Sequence, residues 1–192
     1  MLKSYIVIFL AYFIGAIPSG YWIGKVFYKV NLKKEGSKNI GATNAYRVLG
    51  KKAGAAVFIC DVAKGFIAAS LGSFSPEIAL YCAVAALIGN NWSIFLKFKS
   101  GKGVACGLGA FTYLCPLATL AAFIVWLVIF LWKKIVSLAS IISVPFVPLV
   151  MYFAEKPWQY VLFSVLAGIL VIFKHKSNIE RLIKGEEKQI IK

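Results

Sequence analysis

Six long apolar blocks, separated by basic loops, constrain this chain more than any other feature of its sequence. They cover residues 4–23, 53–73, 77–96, 104–132, 135–153 and 157–173. A membrane-spanning helix needs about 20 apolar residues, so five of the blocks fit one crossing each. Hydrophobic residues make up 60% of the 192 residues, whereas a soluble domain is about half apolar. The sequence therefore predicts an all-α integral membrane protein with a single polytopic domain over residues 1–192.

The basic residues predict the topology of the helices. Most of the 22 lysines and arginines lie in four clusters, at residues 25–52, 97–102, 133–134 and 174–192. Cytoplasmic loops are enriched in Lys and Arg, and all four clusters are cytoplasmic only if the fourth block crosses twice. Pro116 lies near the middle of that block and can break its helix. We therefore predict seven transmembrane helices, with the amino terminus outside and the carboxyl terminus cytoplasmic; one long tilted fourth span, giving six, is the alternative.

The net charge of +15 raises the question of nucleic-acid binding. In a membrane protein, such a charge usually reflects topology and attraction to the anionic inner leaflet. We find no RNA- or DNA-binding motif and predict no nucleic-acid partner. The four cysteines lie inside apolar blocks without metal-site spacing, so we predict neither disulfides nor a metal site. Standard hydrolase and acyltransferase boxes, such as Gly-x-Ser-x-Gly and His-x-x-x-x-Asp, are missing from the sequence.

The first polar loop, residues 35–47, combines small residues with hydroxyl, amide and cationic groups. Glycines such as Gly41 let the backbone approach a ligand closely. Ser37 and Asn44 can donate hydrogen bonds to an oxyanion, and Arg47 can clamp a phosphate with two donors. This pattern is typical of a phosphate site. A flexible connector with topology-determining charges is the alternative.

The second polar loop precedes an apolar helix and reads Gly101-Lys102-Gly103. It lacks the Gly-x-x-x-x-Gly-Lys-Ser/Thr spacing of a nucleotide-binding P-loop. The amino terminus of a helix offers unpaired N–H groups and a partial positive charge, to which Lys102 adds a full charge. The loop therefore predicts a second phosphate-binding element. A turn with a topology-determining lysine is the alternative explanation of the same residues.

The third polar element follows the last apolar block and contains His175, the one histidine of the chain. If the helix continues through it, His175 and Asn178 share one face, three residues apart. A polar helix end is the alternative. Two further features lie within the apolar blocks. Ser137 and Ser140 begin a predicted helix on its cytoplasmic side. Asp61 and Lys64, also three residues apart, are expected to pair because an unpaired charge in a membrane is costly.

The order of these motifs resembles the bacterial acyl-phosphate:glycerol-3-phosphate acyltransferases, the PlsY family, over essentially the whole chain. The matching segments are Ile-Pro-Ser-Gly at 17–20, Gly-Ser-x-Asn-Ile-Gly-Ala-Thr-Asn at 36–44, Gly-Lys-Gly-Val-Ala at 101–105, Ser-Leu-Ala-Ser at 137–140, and His-x-x-Asn-Ile at 175–179. There are departures from the family pattern. Asn90, Ser100 and Cys106 stand where the family usually has His, Gly and Thr.

The resemblance implies transfer of an acyl group from acyl phosphate to glycerol 3-phosphate, giving 1-acyl-glycerol 3-phosphate (lysophosphatidic acid) and inorganic phosphate without a cofactor or metal. It also implies a multi-pass protein of the cell inner membrane with its active site facing the cytoplasm. We expect a monomer in contact with membrane lipid, working beside the enzyme that forms the acyl phosphate. The implied catalytic residues are Ser37, Arg47, Lys102, His175 and Asn178, and the implied phosphate-binding residues are Gly41, Asn44, Gly101, Gly103 and Ser140.

Two other classes of protein share some of these features. A small carrier for anionic metabolites would explain the phosphate-friendly loops, but the sequence shows no internal repeat. A non-catalytic assembly protein would explain the basic clusters but not the polar loops. Within the enzyme hypothesis, the sequence leaves open the acyl-chain preference, and it leaves open whether a substrate phosphate or His175 accepts the proton.

Overall fold

The computed structural model describes residues 1–190, and every regular element among them is helical. The chain divides into an amino-terminal unit, Met1–Leu114, and a carboxy-terminal unit, Cys115–Lys192. The amino-terminal unit contains α1 Leu2–Ala16, α2 Ser19–Phe27, α3 Ala42–Leu49, α4 Lys51–Ser70, α5 Pro76–Asn91, a 3-10 turn at Ile94–Leu96 and α6 Val104–Leu114. The carboxy-terminal unit contains α7 Pro116–Lys133, α8 Val136–Ser143, α9 Phe146–Phe153, α10 Trp158–Lys174 and α11 Lys176–Ile183.

Between four and six segments of residues 1–190 could cross a membrane by length and composition. Four are single stretches: α4, α5 with the 3-10 turn, α7, and α8 with α9. Two more are bent pairs, α1 with α2 at 45° and α10 with α11 at 58°. Helix α6 has 11 residues and is therefore about 16 Å long, at 1.5 Å per residue. The all-helical prediction is confirmed, and the count of seven crossings stays a prediction.

The fourth apolar block is broken next to Pro116, as predicted. Helix α6 ends at Leu114 and α7 begins at Pro116, with Cys115 between them in a non-helical conformation. Proline suits the first position of a helix because its missing N–H would have no partner there. Block four therefore consists of two separate helices rather than one long one.

Glycines bring the helices of the amino-terminal unit into close backbone contact. Helix α1 packs against α5, and α4 packs against α6. A side chain at any of the contact glycines would collide with main-chain atoms of the facing helix, as for Gly15 and Gly89 between α1 and α5 and Gly65 and Gly109 between α4 and α6. Small residues at helix contacts are typical of membrane bundles, where dispersion contacts replace the hydrophobic effect.

A buried ion pair stabilises the break between α1 and α2. Lys64 Nζ lies 2.7 Å from Asp61 Oδ1, with the two side chains only 8% and 14% exposed, so the predicted pairing is confirmed. The same ammonium donates to the carbonyl of Ile17 at 2.9 Å. Ser93 Oγ donates to the neighbouring carbonyl of Ala16 at 2.6 Å. Carbonyls that lose their partners at the end of α1 are thus bonded to side chains from α4 and from the segment after α5.

In the carboxy-terminal unit, α7 packs against α8 and α9, and α9 packs against α10. The sequence allowed one helix to continue through His175, but the chain bends there by 58° between α10 and α11. After α11 the chain turns back at Gly185, which has a φ of +70°. The backbone N–H of Ile190 then donates to the carbonyl of Lys134 at 3.0 Å. The last described residues therefore lie against the start of the α8 segment.

Candidate active site

The first polar loop is organised around the side chain of Asn44. This residue is 2% exposed. Its Nδ2 donates to the carbonyls of Leu32, Glu35 and Asn39 at 3.2, 3.0 and 2.7 Å. Its Oδ1 accepts from the backbone N–H of Ser37 at 2.8 Å. The amide of Asn44 is therefore committed to holding the loop, and the loop in turn presents the exposed Ser37.

Two further contacts fix the path of this loop into α3. Gly36 has a φ of +58°, and a Cβ there would collide with Asn44 Oδ1, so both conformation and space favour glycine. Asn39 Oδ1 accepts from the backbone N–H of Gly41 at 2.8 Å, immediately before α3 begins. Arg47 is half-buried and lies one helical turn after Asn44. The predicted site residues of the first loop thus belong to one ordered segment.

The structure brings the first and second polar loops next to each other. The contacts lie just before each loop: Lys33 Nζ, two residues before the first loop, donates to the carbonyl of Lys99, two residues before the second, at 3.5 Å. Leu32 and Leu96, which also precede the two loops, share one apolar core with residues of α3 and α4. The sequence placed both loops on the cytoplasmic side, and the structure adds that they are neighbours in the amino-terminal unit.

The second polar loop ends at the amino terminus of α6. The backbone N–H of Gly101 donates to the carbonyl of Asn90 at 3.1 Å. Gly103 has a φ of +86°, a conformation that side chains rarely adopt. Its carbonyl accepts from Gly107 N–H at 2.7 Å and so joins the hydrogen bonding of α6. Gly101 and Gly103 are buried, whereas Lys102 between them is half-buried. A helix amino terminus and a lysine are therefore together at this point, as an anion site requires.

In the carboxy-terminal unit, His175 occupies the bend between α10 and α11 and is 4% exposed. Its Nδ1 lies 2.7 Å from the carbonyl of Val171. A carbonyl can only accept, so Nδ1 carries the proton, and Nε2 is the acceptor nitrogen of the neutral ring. Asn178 follows in the first turn of α11 and is also buried. The two residues lie on either side of the bend rather than on one straight helix.

Glu187 connects α8 and α11 of the carboxy-terminal unit through hydrogen bonds. Its Oε1 accepts from Ser137 Oγ at 2.9 Å and from Asn178 Nδ2 at 2.7 Å. Its Oε2 lies 2.6 Å from Arg181 Nε, and the carboxylate side chain is 3% exposed. Burial disfavours its charge, but the hydrogen bonds from Arg181, Asn178 and Ser137 outweigh that effect and hold the pKa of Glu187 below its ordinary value. Because Asn178 donates to Glu187 through Nδ2, its amide orientation is fixed.

Ser140 lies one turn after Ser137 in α8 and is 2% exposed. Its hydroxyl donates to the carbonyl of Val136 at 2.9 Å and accepts from Trp126 Nε1 at 3.2 Å. The predicted phosphate contact of Ser140 would require this hydroxyl to turn away from Val136. Among residues 1–190, no three His, Cys, Asp or Glu side chains are grouped closely enough to hold a metal ion.

Two of these partners, Glu187 and Trp126, were not among the predicted site residues. Glu187 lies 50 positions from Ser137, and nothing in local spacing indicates that the two side chains meet. A signal did exist, because polar residues such as Ser137, Asn178 and Arg181 at the ends of apolar helices need an acceptor if they are buried.

Comparison with known proteins identifies the family of the chain. A family model described as glycerol-3-phosphate acyltransferase matches residues 5–185. A glycerol-3-phosphate acyltransferase of Fusobacterium nucleatum subsp. nucleatum is 44% identical over 185 residues, which cover 94% of each chain. One from Aquifex aeolicus is 40% identical over 190 residues, covering 97% of this chain and 98% of the relative.

Two solved structures of PlsY (YgiH), an integral membrane glycerol 3-phosphate acyltransferase, share the fold. The glycerol 3-phosphate form is 39% identical with a TM-score of 0.92, covering 97% of this chain and 94% of that one. The lysophosphatidic acid form is 38% identical with a TM-score of 0.88 over the same shares. The protein is therefore an acyltransferase of the membrane, and it belongs to the glycerol-3-phosphate acyltransferase family.

Proposed function

We propose that this protein transfers an acyl group from acyl phosphate to glycerol 3-phosphate, producing lysophosphatidic acid and inorganic phosphate as the first step of phospholipid synthesis. The observation that carries this proposal is the Gly101-Lys102-Gly103 segment at the start of α6, where a half-buried lysine lies between two buried glycines and the preceding Lys99 contacts Lys33. The glycerol 3-phosphate and lysophosphatidic acid forms of the related PlsY structures support the acceptor and the product.

The chemistry of this reaction asks little of acid–base side chains. A hydroxyl oxygen of glycerol 3-phosphate attacks the acyl carbonyl carbon, the bond from that carbon to the phosphate oxygen breaks, and phosphate leaves with the electron pair. An acyl phosphate is a mixed anhydride and is already activated, so the protein mainly binds and orients two anions. Positioning of two reactants can lower a barrier by about 7–11 kcal/mol. This fits a chain with 22 basic and 7 acidic residues.

In the amino-terminal unit, we assign the phosphate of glycerol 3-phosphate to Gly101, Lys102 and Gly103, because a helix terminus and a lysine favour an anion. The N–H of Gly101 is bonded to the Asn90 carbonyl, so Gly101 contributes by letting the ligand approach the backbone closely. Ser37 and Arg47 bind a substrate phosphate from the first loop, and Gly41, whose N–H is bonded to Asn39 Oδ1, lets the phosphate approach the backbone closely. Fixed donors around a developing oxyanion contribute about 3–4 kcal/mol each. Asn44 acts through the loop that it holds, since its four hydrogen bonds all go to backbone atoms of the loop and of Leu32 just before it.

In the carboxy-terminal unit, we assign the orientation of the attacking hydroxyl to His175 and Asn178. Asn178 donates to Glu187 through Nδ2, so its Oδ1 is the atom that can accept from a substrate hydroxyl. Because His175 Nδ1 donates to the carbonyl of Val171, Nε2 is the ring nitrogen that can accept from a substrate hydroxyl. Ser140 binds a substrate oxygen if its hydroxyl leaves Val136.

The hydroxyl proton goes to a substrate phosphate in this mechanism, and His175 is the rival acceptor. A His175→Ala variant separates the two, because loss of the base would abolish turnover at every pH, whereas loss of an orienting contact lowers it only partly. We expect residual turnover with the pH profile of the parent protein. A rate that falls to background and is rescued by added imidazole would assign the proton to His175.

We propose seven crossings in the inner membrane, with a cytoplasmic active site, an external amino terminus and a cytoplasmic carboxyl terminus. The break between α6 and α7 supports two crossings by block four, and the basic clusters support the orientation. Single cysteines placed at Lys3 and at Lys188 in a cysteine-free background test it in intact cells. A membrane-impermeant maleimide should label the first and not the second; the reverse, or equal labelling, would contradict the orientation. The purified protein should migrate as a monomer.

The donor is tested with purified protein in detergent or lipid mesophase. Palmitoyl phosphate and glycerol 3-phosphate are mixed with the protein, and lysophosphatidic acid and inorganic phosphate are followed together, with palmitoyl-CoA as a parallel donor. We expect both products in a one-to-one ratio from the acyl phosphate alone. Product from palmitoyl-CoA alone would overturn the proposed donor. Absence of product from either donor in folded protein would favour a carrier, which flux assays in vesicles would then measure.

A further inference from the structure

The last residue of α5, Asn91, lies directly beneath the second polar loop. Its side chain is 1% exposed, and its Nδ2 donates to the carbonyl of Leu87 one turn earlier at 2.9 Å. A Cβ added to Gly103 would lie 2.8 Å from this same nitrogen. The Asn91 amide therefore occupies the space where any other residue at 103 would place its side chain.

The carbonyl oxygen of the Asn91 side chain has no partner. The Leu87 carbonyl can only accept, so the amide nitrogen must face it and Oδ1 must point the other way. Among residues 1–190, no donor reaches this buried oxygen. An unsatisfied buried acceptor lowers stability, and its removal offsets the loss of the Nδ2 bond to Leu87 when a smaller residue replaces Asn91. A residue that costs stability and touches a functional loop is a candidate for a role in function.

The neighbouring residue ties the other glycine of the loop to the same helix end. The backbone N–H of Gly101 donates to the carbonyl of Asn90 at 3.1 Å, and a Cβ at Gly101 would lie 3.2 Å from Asn90 Nδ2. Gly101 and Gly103 thus lie against Asn90 and Asn91, two consecutive residues of α5, with Lys102 between the two glycines. Any shift at the end of α5 moves both glycines and the lysine together.

We propose that Asn91 is a positioning residue for the phosphate of glycerol 3-phosphate. It acts through Gly103: its amide holds the backbone of that glycine in the left-handed conformation that sets the start of α6 and the neighbouring Lys102. The proposal rests on the proposed binding of the acceptor phosphate by this loop. It adds a residue to the phosphate site that contacts the loop from behind.

The test compares Asn91→Ala with the parent protein in purified form. Two quantities are measured: the Kd for glycerol 3-phosphate by calorimetry, and the thermal midpoint of the unliganded protein. We expect the Kd to rise by about tenfold while the midpoint stays equal or increases, because the variant removes an unsatisfied acceptor. Thr112→Ala is the control, since that hydroxyl bonds only to its own helix at Leu108.

A purely structural role gives a different pattern. If Asn91→Ala lowers the thermal midpoint and the affinity together, or leaves the Kd within about twofold, the proposal is wrong. Asn91→Asp is the second variant, because it keeps the shape but places a negative charge beneath Gly103. It should weaken binding more than Asn91→Ala does, and equal or tighter binding would also overturn the proposal.

The binding measurement needs no acyl donor, so it separates this inference from the proposed function. Failure of the parent protein to bind glycerol 3-phosphate would count against the proposed function itself. Normal binding by both the parent protein and Asn91→Ala would count against Asn91 alone. In turnover assays the same variant should raise the KM for glycerol 3-phosphate and change kcat by less than about twofold, as expected when binding is weakened equally in the ground state and the transition state.

Discussion

The backbone N–H of Ser37 donates to Oδ1 of Asn44 at 2.8 Å, and this bond ties an exposed serine of the first loop to a buried asparagine of α3. The other atom of the amide, Nδ2, donates to three loop carbonyls. A single buried side chain therefore determines the shape of the loop that carries Ser37.

An Asn44→Asp variant should disrupt this loop while leaving its volume unchanged. The substitution keeps the acceptor for Ser37 but places a second oxygen against three carbonyl oxygens. Because each lost hydrogen bond costs about 1 kcal/mol, we expect a loss of roughly 2–4 kcal/mol and at least a tenfold fall in kcat/KM. The matched control is Asn31→Asp. In the parent protein, Asn31 Oδ1 accepts from the backbone N–H of Lys33, and aspartate keeps this acceptor. Equal activity in the two variants would contradict this role of Asn44.

Gly103→Ala should impair glycerol 3-phosphate binding more than an equivalent change at another left-handed glycine. Gly103 has both a φ of +86° and a close neighbour in Asn91, whereas Gly50 has a φ of +94° and nothing within 4 Å of an added Cβ. Backbone strain alone costs about 1–3 kcal/mol at either site. We expect Gly103→Ala to lose at least as much thermal stability as Gly50→Ala, because it adds the conflict with Asn91, and we expect a raised KM only for Gly103→Ala. A raised KM in both variants would show that backbone strain elsewhere in the amino-terminal unit also weakens binding, and it would contradict a specific role of Gly103.

Acid should destabilise the protein through Glu187. Its pKa in the folded protein lies below the ordinary value of 4.5 because Arg181, Asn178 and Ser137 donate to the carboxylate. The charged form therefore stabilises the fold above pH 4.5, and that contribution is lost as the pH falls below this value and the carboxylate is protonated. We expect the thermal midpoint of the parent protein to fall as the pH is lowered below 4.5, and to fall less in Glu187→Gln.

Glu186→Gln is the control for this titration, since the Glu186 side chain is exposed and the residue contacts Arg181 through its backbone N–H. It should show the same pH dependence as the parent protein. A Glu187→Gln variant whose thermal midpoint changes with pH as steeply as that of the parent protein would show that other groups control the acid response.

Removing one member of the Asp61–Lys64 pair should be worse than removing both. Lys64→Met leaves a buried carboxylate without its cation and the Ile17 carbonyl without its donor. Breaking a buried pair in this way costs about 3–5 kcal/mol, whereas replacing both members is often much milder. We expect low yields of folded protein for Lys64→Met and partial recovery in Asp61→Asn/Lys64→Met. Additive losses in a double-mutant cycle would refute the coupling between the two residues.

Local patterns in the sequence predicted the helices, the break at Pro116 and the Asp61–Lys64 pair, because each depends on residues close together along the chain. Contacts between distant residues were not predictable in this way. The meeting of Ser137 and Glu187, 50 residues apart, depends on how the chain turns back after α11. The inward orientation of the Asn44 amide and the bend at His175 likewise follow from packing rather than from composition.

The central claim is that the Gly101-Lys102-Gly103 loop, rather than the general positive charge of the protein, binds the acceptor phosphate. Steady-state kinetics against glycerol 3-phosphate for Lys102→Ala and Lys99→Ala test it most directly. Both variants lose one positive charge, but Lys99 is exposed and contacts Lys33 through its backbone carbonyl. We predict that Lys102→Ala raises the KM by at least about tenfold or abolishes turnover, while Lys99→Ala stays within about twofold of the parent protein. Equal effects of the two variants, or normal kinetics in folded Lys102→Ala, would contradict the account.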